Sequence, residues 1–126
     1  MNTSIAEADR YGELLNREAE ISRDRKLMVK ALLVNGQRYS FFGQNKDFIQ
    51  KSIGYYNKAL DLARENKLEK QIVEALILLS YVYYNIPDLD KSLSYTTQAF
   101  SIASTIKNDS LNTEVYNSYG NVYQRY

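Results

Sequence analysis

The sequence predicts an all-α protein of about six helices, folded as a solenoid of antiparallel helix hairpins. Three observations carry this. Small residues recur at intervals of forty: Ala19, Ala59 and Ala99; Gly12, Ser52 and Ser92; Ser40, Ser80 and Gly120. A fixed period between roughly twenty and fifty residues marks a stacked repeat. Small side chains are wanted where two helices cross closely, so one helix pair is expected about three times over. Helix breakers are scarce, with one proline and five glycines in 126 residues, which favours long helices joined by short turns. Apolar residues fall three and four apart in most segments, and no segment alternates as a strand does.

The first helix is expected from about Ile5 to Arg23, where Ser4 with Glu7 forms a capping-box pattern. The second runs from about Lys26 to Phe42 and stops at Gly43, which tolerates the left-handed backbone of a helix end. The third spans about Phe48 to Glu65 with Asp47 as N-cap, and Ile49, Ile53, Tyr56, Leu60 and Ala63 share one face. The fourth, about Glu69 to Tyr84, is apolar nearly all round (Ile72, Val73, Leu76, Ile77, Leu79, Val82, Tyr83), which suits burial in the middle of a stack. Pro87 and Asp88 end it and cap the fifth, about Leu89 to Ile106, with Leu93, Phe100 and Ala103 facing inward. After Asn108 and Asp109 a sixth helix is expected from Leu111 onward, carrying Val115, Tyr116, Tyr119, Val122 and Tyr123. In repeat terms the chain reads as one domain, residues 1–126: a half unit at 5–24, units at 26–66 and 69–107, and a half unit at 109–126.

Sixteen basic and fifteen acidic residues give a net charge of +1, too weak a field to favour nucleic acid or an anionic membrane as partner. The longest apolar stretch, Ala75 to Leu79 and on to Tyr84 after Ser80, falls short of the about 20 residues a membrane span needs. Met1 to Arg10 lacks the apolar core of a secretory signal, so a cytoplasmic location is expected. There is no histidine and no cysteine. The commonest general base, the thiolate nucleophile and the usual soft-metal ligands are therefore missing. Glu18 with Glu20, and Asp88 with Asp90, stand two apart and do not face each other on a helix. Arg23-Asp24-Arg25-Lys26 reads as a solvated junction. An enzyme is not expected, nor a catalytic residue, a cofactor or a metal.

The second unit reads Leu76-x-x-Leu79-Ser80-x-x-Tyr83, then Pro87-Asp88-Leu89, Ser92 and Ala99; the third opens Tyr116-x-x-Tyr119-Gly120-x-x-Tyr123. This order of large, apolar, small and aromatic positions resembles the tetratricopeptide repeat family, in the long form found in bacterial regulatory proteins and kinesin light chains. The first unit departs from the pattern. Gly36 stands where a large residue is expected and Gly43 where an aromatic is, unless a local shift of register lets Phe41 and Phe42 pack instead.

The resemblance implies a right-handed superhelix whose first helices line a concave, peptide-binding face. By position that face holds Gln37, Arg38, Phe41, Gln44, Ile77, Leu78, Tyr81, Tyr84, Asn85, Asn117, Asn121 and Gln124. Amides there can hydrogen-bond the backbone of an extended peptide, and aromatics can pack on its side chains. The basic clamp that some members use for a terminal carboxylate is absent. Tyr116, Tyr119, Tyr123 and Tyr126 form an uncovered stripe, expected to meet a missing further repeat of a longer protein or a second copy in a homodimer. The functional expectation is an interaction scaffold for a protein or peptide, the sensory or regulatory part of a larger bacterial protein. The alternative is a spacer or dimerisation module with no groove ligand.

Overall fold

A computed structural model of the chain describes residues 2–41, 45–86 and 88–106. They form five α-helices and, among the described residues, no strand: α1 (Asn2–Ser22), α2 (Arg25–Phe41), α3 (Lys46–Glu65), α4 (Glu69–Asn85) and α5 (Leu89–Ala103). The all-helical class stands, with five helices where six were expected. Gly43, Pro87 and the whole of the sixth expected helix lie outside the described residues.

Local chemistry sets the ends. Asp24 caps α2, its Oδ1 accepting from Lys26 N at 2.9 Å. The α3 cap is Asn45 and not Asp47: its Oδ1 accepts from Asp47 N and Phe48 N at 2.8 and 3.3 Å. Asp47 lies inside the first turn, where its charge suits the helix dipole. Asp88 caps α5 as expected, accepting from Lys91 N at 3.2 Å. α1 begins at Asn2, so Ser4 lies within its first turn and does not cap it. Lys67 takes a left-handed φ of 53° after α3. There Leu68 N reaches Ala63 O and Lys67 N reaches Arg64 O, closing the helix without a glycine.

Each helix packs against the next, and α2 also packs on α4; among the described residues no close backbone approach joins α1 to α3 or α3 to α5, though Arg64 of α3 donates to Gln98 Oε1 of α5 at 3.1 Å. One core runs through α2 to α5, built on Val29, Leu33, Tyr56, Leu60, Val73, Leu76, Leu79 and Ala99. α4 is buried on several sides, as its composition implies. In α5 the inward face is Ser92, Thr96, Ala99 and Ala103. Phe100 is exposed, contrary to expectation, because those four small residues already occupy the contact face and Phe100 stands about a fifth of a turn from its middle.

The repeat has two periods. α3 and α5 correspond at forty residues: Ser52 with Ser92, Tyr56 with Thr96, Ala59 with Ala99. Both members of each pair are buried. α2 and α4 correspond at forty-four, since Arg25–Phe41 and Glu69–Asn85 share that offset at both ends. Contacts confirm the pairing. Ser52 Oγ donates to Gly36 O at 2.9 Å, and Ser92 Oγ donates to Ser80 O at 2.8 Å. Tyr39 stacks on Tyr55, and Tyr83 on Tyr95. The counterpart of Ser80 is therefore Gly36, one helical turn before Ser40. The first hairpin carries Leu32-x-x-Asn35-Gly36-x-x-Tyr39 at the positions of Leu76, Leu79, Ser80 and Tyr83, with a polar Asn35 where the second has Leu79.

Gly36 has a steric reason. A Cβ built there would stand 2.6 Å from Cδ1 of Tyr56. The first hairpin pairs nothing with a large ring; the second pairs Ser80 with Thr96 through a hydroxyl bond. Gly36→Ser alone is expected to cost about 1–3 kcal/mol by overpacking, and Tyr56→Thr alone about 2–4 kcal/mol by leaving a cavity. The double variant copies the second hairpin, and urea unfolding should show it losing at least about 1 kcal/mol less than the sum.

Burial raises the Tyr56 hydroxyl above its ordinary pKa of 10.0, against hydrogen bonds to Ser40 and Ser52 that lower it. The fold thus favours neutral Tyr56. Its contribution is complete below pH 10 and falls as pH rises, because the unfolded chain loses that proton first. The drop in melting temperature between pH 9 and 11 should be shallower in Tyr56→Phe than in the parent chain.

Candidate functional site

α2 and α4 lie side by side and leave a groove of ≈470 Å³ between them. Its lining is Lys30, Leu33, Val34 and Gln37 from α2, and Glu74, Ile77, Leu78 and Tyr81 from α4. These are the same four positions of two equivalent helices, forty-four residues apart throughout. The spacing of three, four and seven puts each quartet on one face. Leu33 and Ile77 are buried and form the floor; Val34 and Leu78 are half-buried walls. Lys30, Gln37, Glu74 and Tyr81 stand exposed on the rim. The arrangement offers an apolar trough edged by a cation, an anion, an amide and a phenol.

The residues named from sequence fall in several places. Gln37, Ile77, Leu78 and Tyr81 come together in this groove. Arg38 turns away to α1, its Nε 3.3 Å from Asp9 Oδ1 and its guanidinium over the Tyr39 ring. Asn85 lies on a second groove of ≈440 Å³ with Ser40, Ile49, Ser52, Val82 and Ile86. Tyr84 is half-buried. Phe41 is the last residue of α2, its side chain outside the described set. Gln44, Asn117, Asn121 and Gln124 lie outside the described residues, as do Tyr116, Tyr119, Tyr123 and Tyr126. Lys30, Leu33, Val34 and Glu74 are missing from the sequence-based set. The signal for them was Leu32-x-x-Asn35-Gly36-x-x-Tyr39, which shifts α2 by one turn relative to α4.

Beside the groove each hairpin carries a tyrosine stack with a lysine: Lys51 over Tyr39, which stacks on Tyr55, and Lys91 over Tyr83, which stacks on Tyr95. Burial raises the pKa of both Tyr83 and Tyr95; the Asp88 carboxylate adds to the first, and Tyr83 adds to the second. All four rings are half-buried. Among the described residues there is no cluster of three metal-binding side chains, and no helix is long and apolar enough to cross a membrane.

Floor and rim should respond differently to truncation. Ile77→Ala is expected to lower stability by about 2–4 kcal/mol, whereas Gln37→Ala should change it by less than about 0.5 kcal/mol, as read by thermal or urea unfolding. Comparison with family models, curated proteins and solved structures finds no match to this chain.

Proposed function

We propose that the chain is a protein–protein interaction module, a right-handed stack of tetratricopeptide-like hairpins whose α2–α4 groove takes an extended segment of another protein. The observation that carries this reading is the groove itself: an apolar trough of ≈470 Å³ lined by matched quartets of two equivalent helices. Its size lies within the range of about 300–1,000 Å³ usual for ligand sites. Its make-up suits a peptide. Leu33, Val34, Ile77 and Leu78 take side chains, while the Gln37 amide and Tyr81 hydroxyl are placed to bond a peptide backbone.

The stacked-hairpin geometry is supported by the helix contacts. α2 and α4 backbones approach closely, while among the described residues those of α1, α3 and α5 do not, α3 and α5 meeting at the side-chain bond from Arg64 to Gln98. A stack curved toward its even-numbered helices has that pattern. The register of forty-four also places Leu32, Gly36 and Tyr39 at the family's large, small and aromatic positions, with Asn35 departing at the apolar one, which supports the resemblance. The setting in a larger bacterial regulatory protein rests on that resemblance alone.

Peptides selected from a random library on the immobilised chain test the groove. The double variant Gln37→Glu, Tyr81→Glu changes two exposed rim positions and is expected to weaken the selected peptides at least about tenfold, near 1.4 kcal/mol. Ser101→Glu, on the exposed side of α5, should leave binding unchanged. Selected peptides that bind the rim variant as well as the parent would remove the groove from consideration.

A further inference from the structure

Among the described helices, α1 alone contributes nothing to the main core. Among the described residues it touches α2 alone. Its apolar contacts form a separate small cluster, Leu15, Ala19 and Ala31 with Leu27, Met28 and Val34 at the edge. The core that joins α2 to α5 does not include it.

The junction of α1 with α2 corresponds to that of α3 with α4, and its chemistry is reversed. Asn35 Nδ2 donates to Asn16 Oδ1 at 2.8 Å, where the matching positions are Leu79 and Tyr56. Arg38 pairs with Asp9, where the matching positions are Val82 and Ile49. The Asn35 side chain is 1% exposed and its Oδ1 has no hydrogen-bond partner. Polar pairs at a helix junction select their own partner and hold it less firmly than an apolar seam.

The connection is also short and strained. Two residues, Arg23 and Asp24, join α1 to α2. Arg23 holds φ at 54°, a left-handed conformation that disfavours any residue with a Cβ. No proline or glycine occurs between Glu13 and Asn35. A chain with both Arg23 and Asp24 in the ordinary helical region would run from Asn2 to Phe41 as one helix of about 60 Å. In that form α1 cannot fold back on its own α2. It can dock on the α2 of a second copy, which offers the same Asn35, Arg38 and Ala31. Short strained hinges favour this kind of exchange. Lys67 is left-handed as well, but the main core spans its turn and holds α3 to α4.

We infer that the Arg23–Asp24 turn is a swap hinge and that two copies of the chain exchange α1 to form a dimer. The occupant of the surface vacated on α2 is α1 of the second copy, with the Asn16–Asn35 and Asp9–Arg38 pairs remade between chains.

The chain contains no cysteine, so a disulfide can report the connectivity. A Cβ at position 12 would stand 2.9 Å from Asn35 Oδ1, which brings cysteines at 12 and 35 within reach of each other. The full chain carrying Gly12→Cys and Asn35→Cys is concentrated to about millimolar, oxidised, and run on a denaturing gel without reductant. The swap predicts covalent dimers; disulfides confined within single chains at all concentrations overturn it. Hinge variants of the otherwise native chain give a second measurement by sedimentation, independent of how the cysteine variant folds. Arg23→Gly relieves the left-handed strain and should weaken dimerisation about fivefold per hinge, roughly 25-fold for two. Asp24→Ala removes a cap that only the turned form uses and should strengthen dimerisation about fivefold or more. Equal association of the parent and both variants, or a parent chain that stays monomeric at millimolar concentration, sinks the proposal. Neither result bears on peptide selection at Gln37 and Tyr81.

Discussion

The close approach of α3 to α2, and of α5 to α4, governs the rest of the molecule. It occurs at hydroxyls and at one missing side chain. Ser52 reaches Gly36 O, and Ser92 reaches Ser80 O, each from a fully buried position. A buried hydroxyl without a partner would cost on the order of 1–3 kcal/mol. Each serine therefore demands that the neighbouring backbone lie within bonding distance at that residue. The hairpins are held in register by polar bonds, and the surrounding Val, Leu and Ala residues fill the space around them. The two hairpins meet the volume requirement differently, with Gly36 against Tyr56 in one and Ser80 against Thr96 in the other.

That register decides which face of each helix remains available. With Gly36 and Ser80 turned toward α3 and α5, the positions three residues before and one residue after them fall on the side where α2 and α4 adjoin. Leu33 and Gln37 are so placed on α2, and Ile77 and Tyr81 on α4. The groove is thus a by-product of hairpin packing, and its two walls match because the same bond sets both helices. Residues one turn away are drawn into other work: Arg38 to Asp9, and Tyr39 to its stack with Tyr55.

The same comparison separates the two kinds of junction. Between α3 and α4 the seam is apolar and continuous with the main core. Between α1 and α2 it narrows to a few apolar residues beside Asn16, Asn35, Asp9 and Arg38. Local stability follows buried apolar contact, and among the described helices α1 is the one that stands outside the main core.

Composition and spacing by themselves determined the helical class, the places where helices turn, the inward ladder of Ala19, Ala59 and Ala99, and the all-round burial of α4. Those properties follow from period, breakers and caps, which are local. The pairing of α2 with α4 was not local. A period of forty holds for α3 and α5, where Ser, Tyr or Thr, and Ala recur in step, and it was natural to extend it to α2. Ser40 and Ser80 are forty apart and both small, which disguised the true partner of Ser80. Only the packed structure shows Tyr56 filling the place beside Gly36, and so shifts α2 by a turn and replaces Arg38 with Leu33 and Val34 in the groove. A residue with no side chain carries no pattern of its own; what it is for depends on the ring that arrives from another helix.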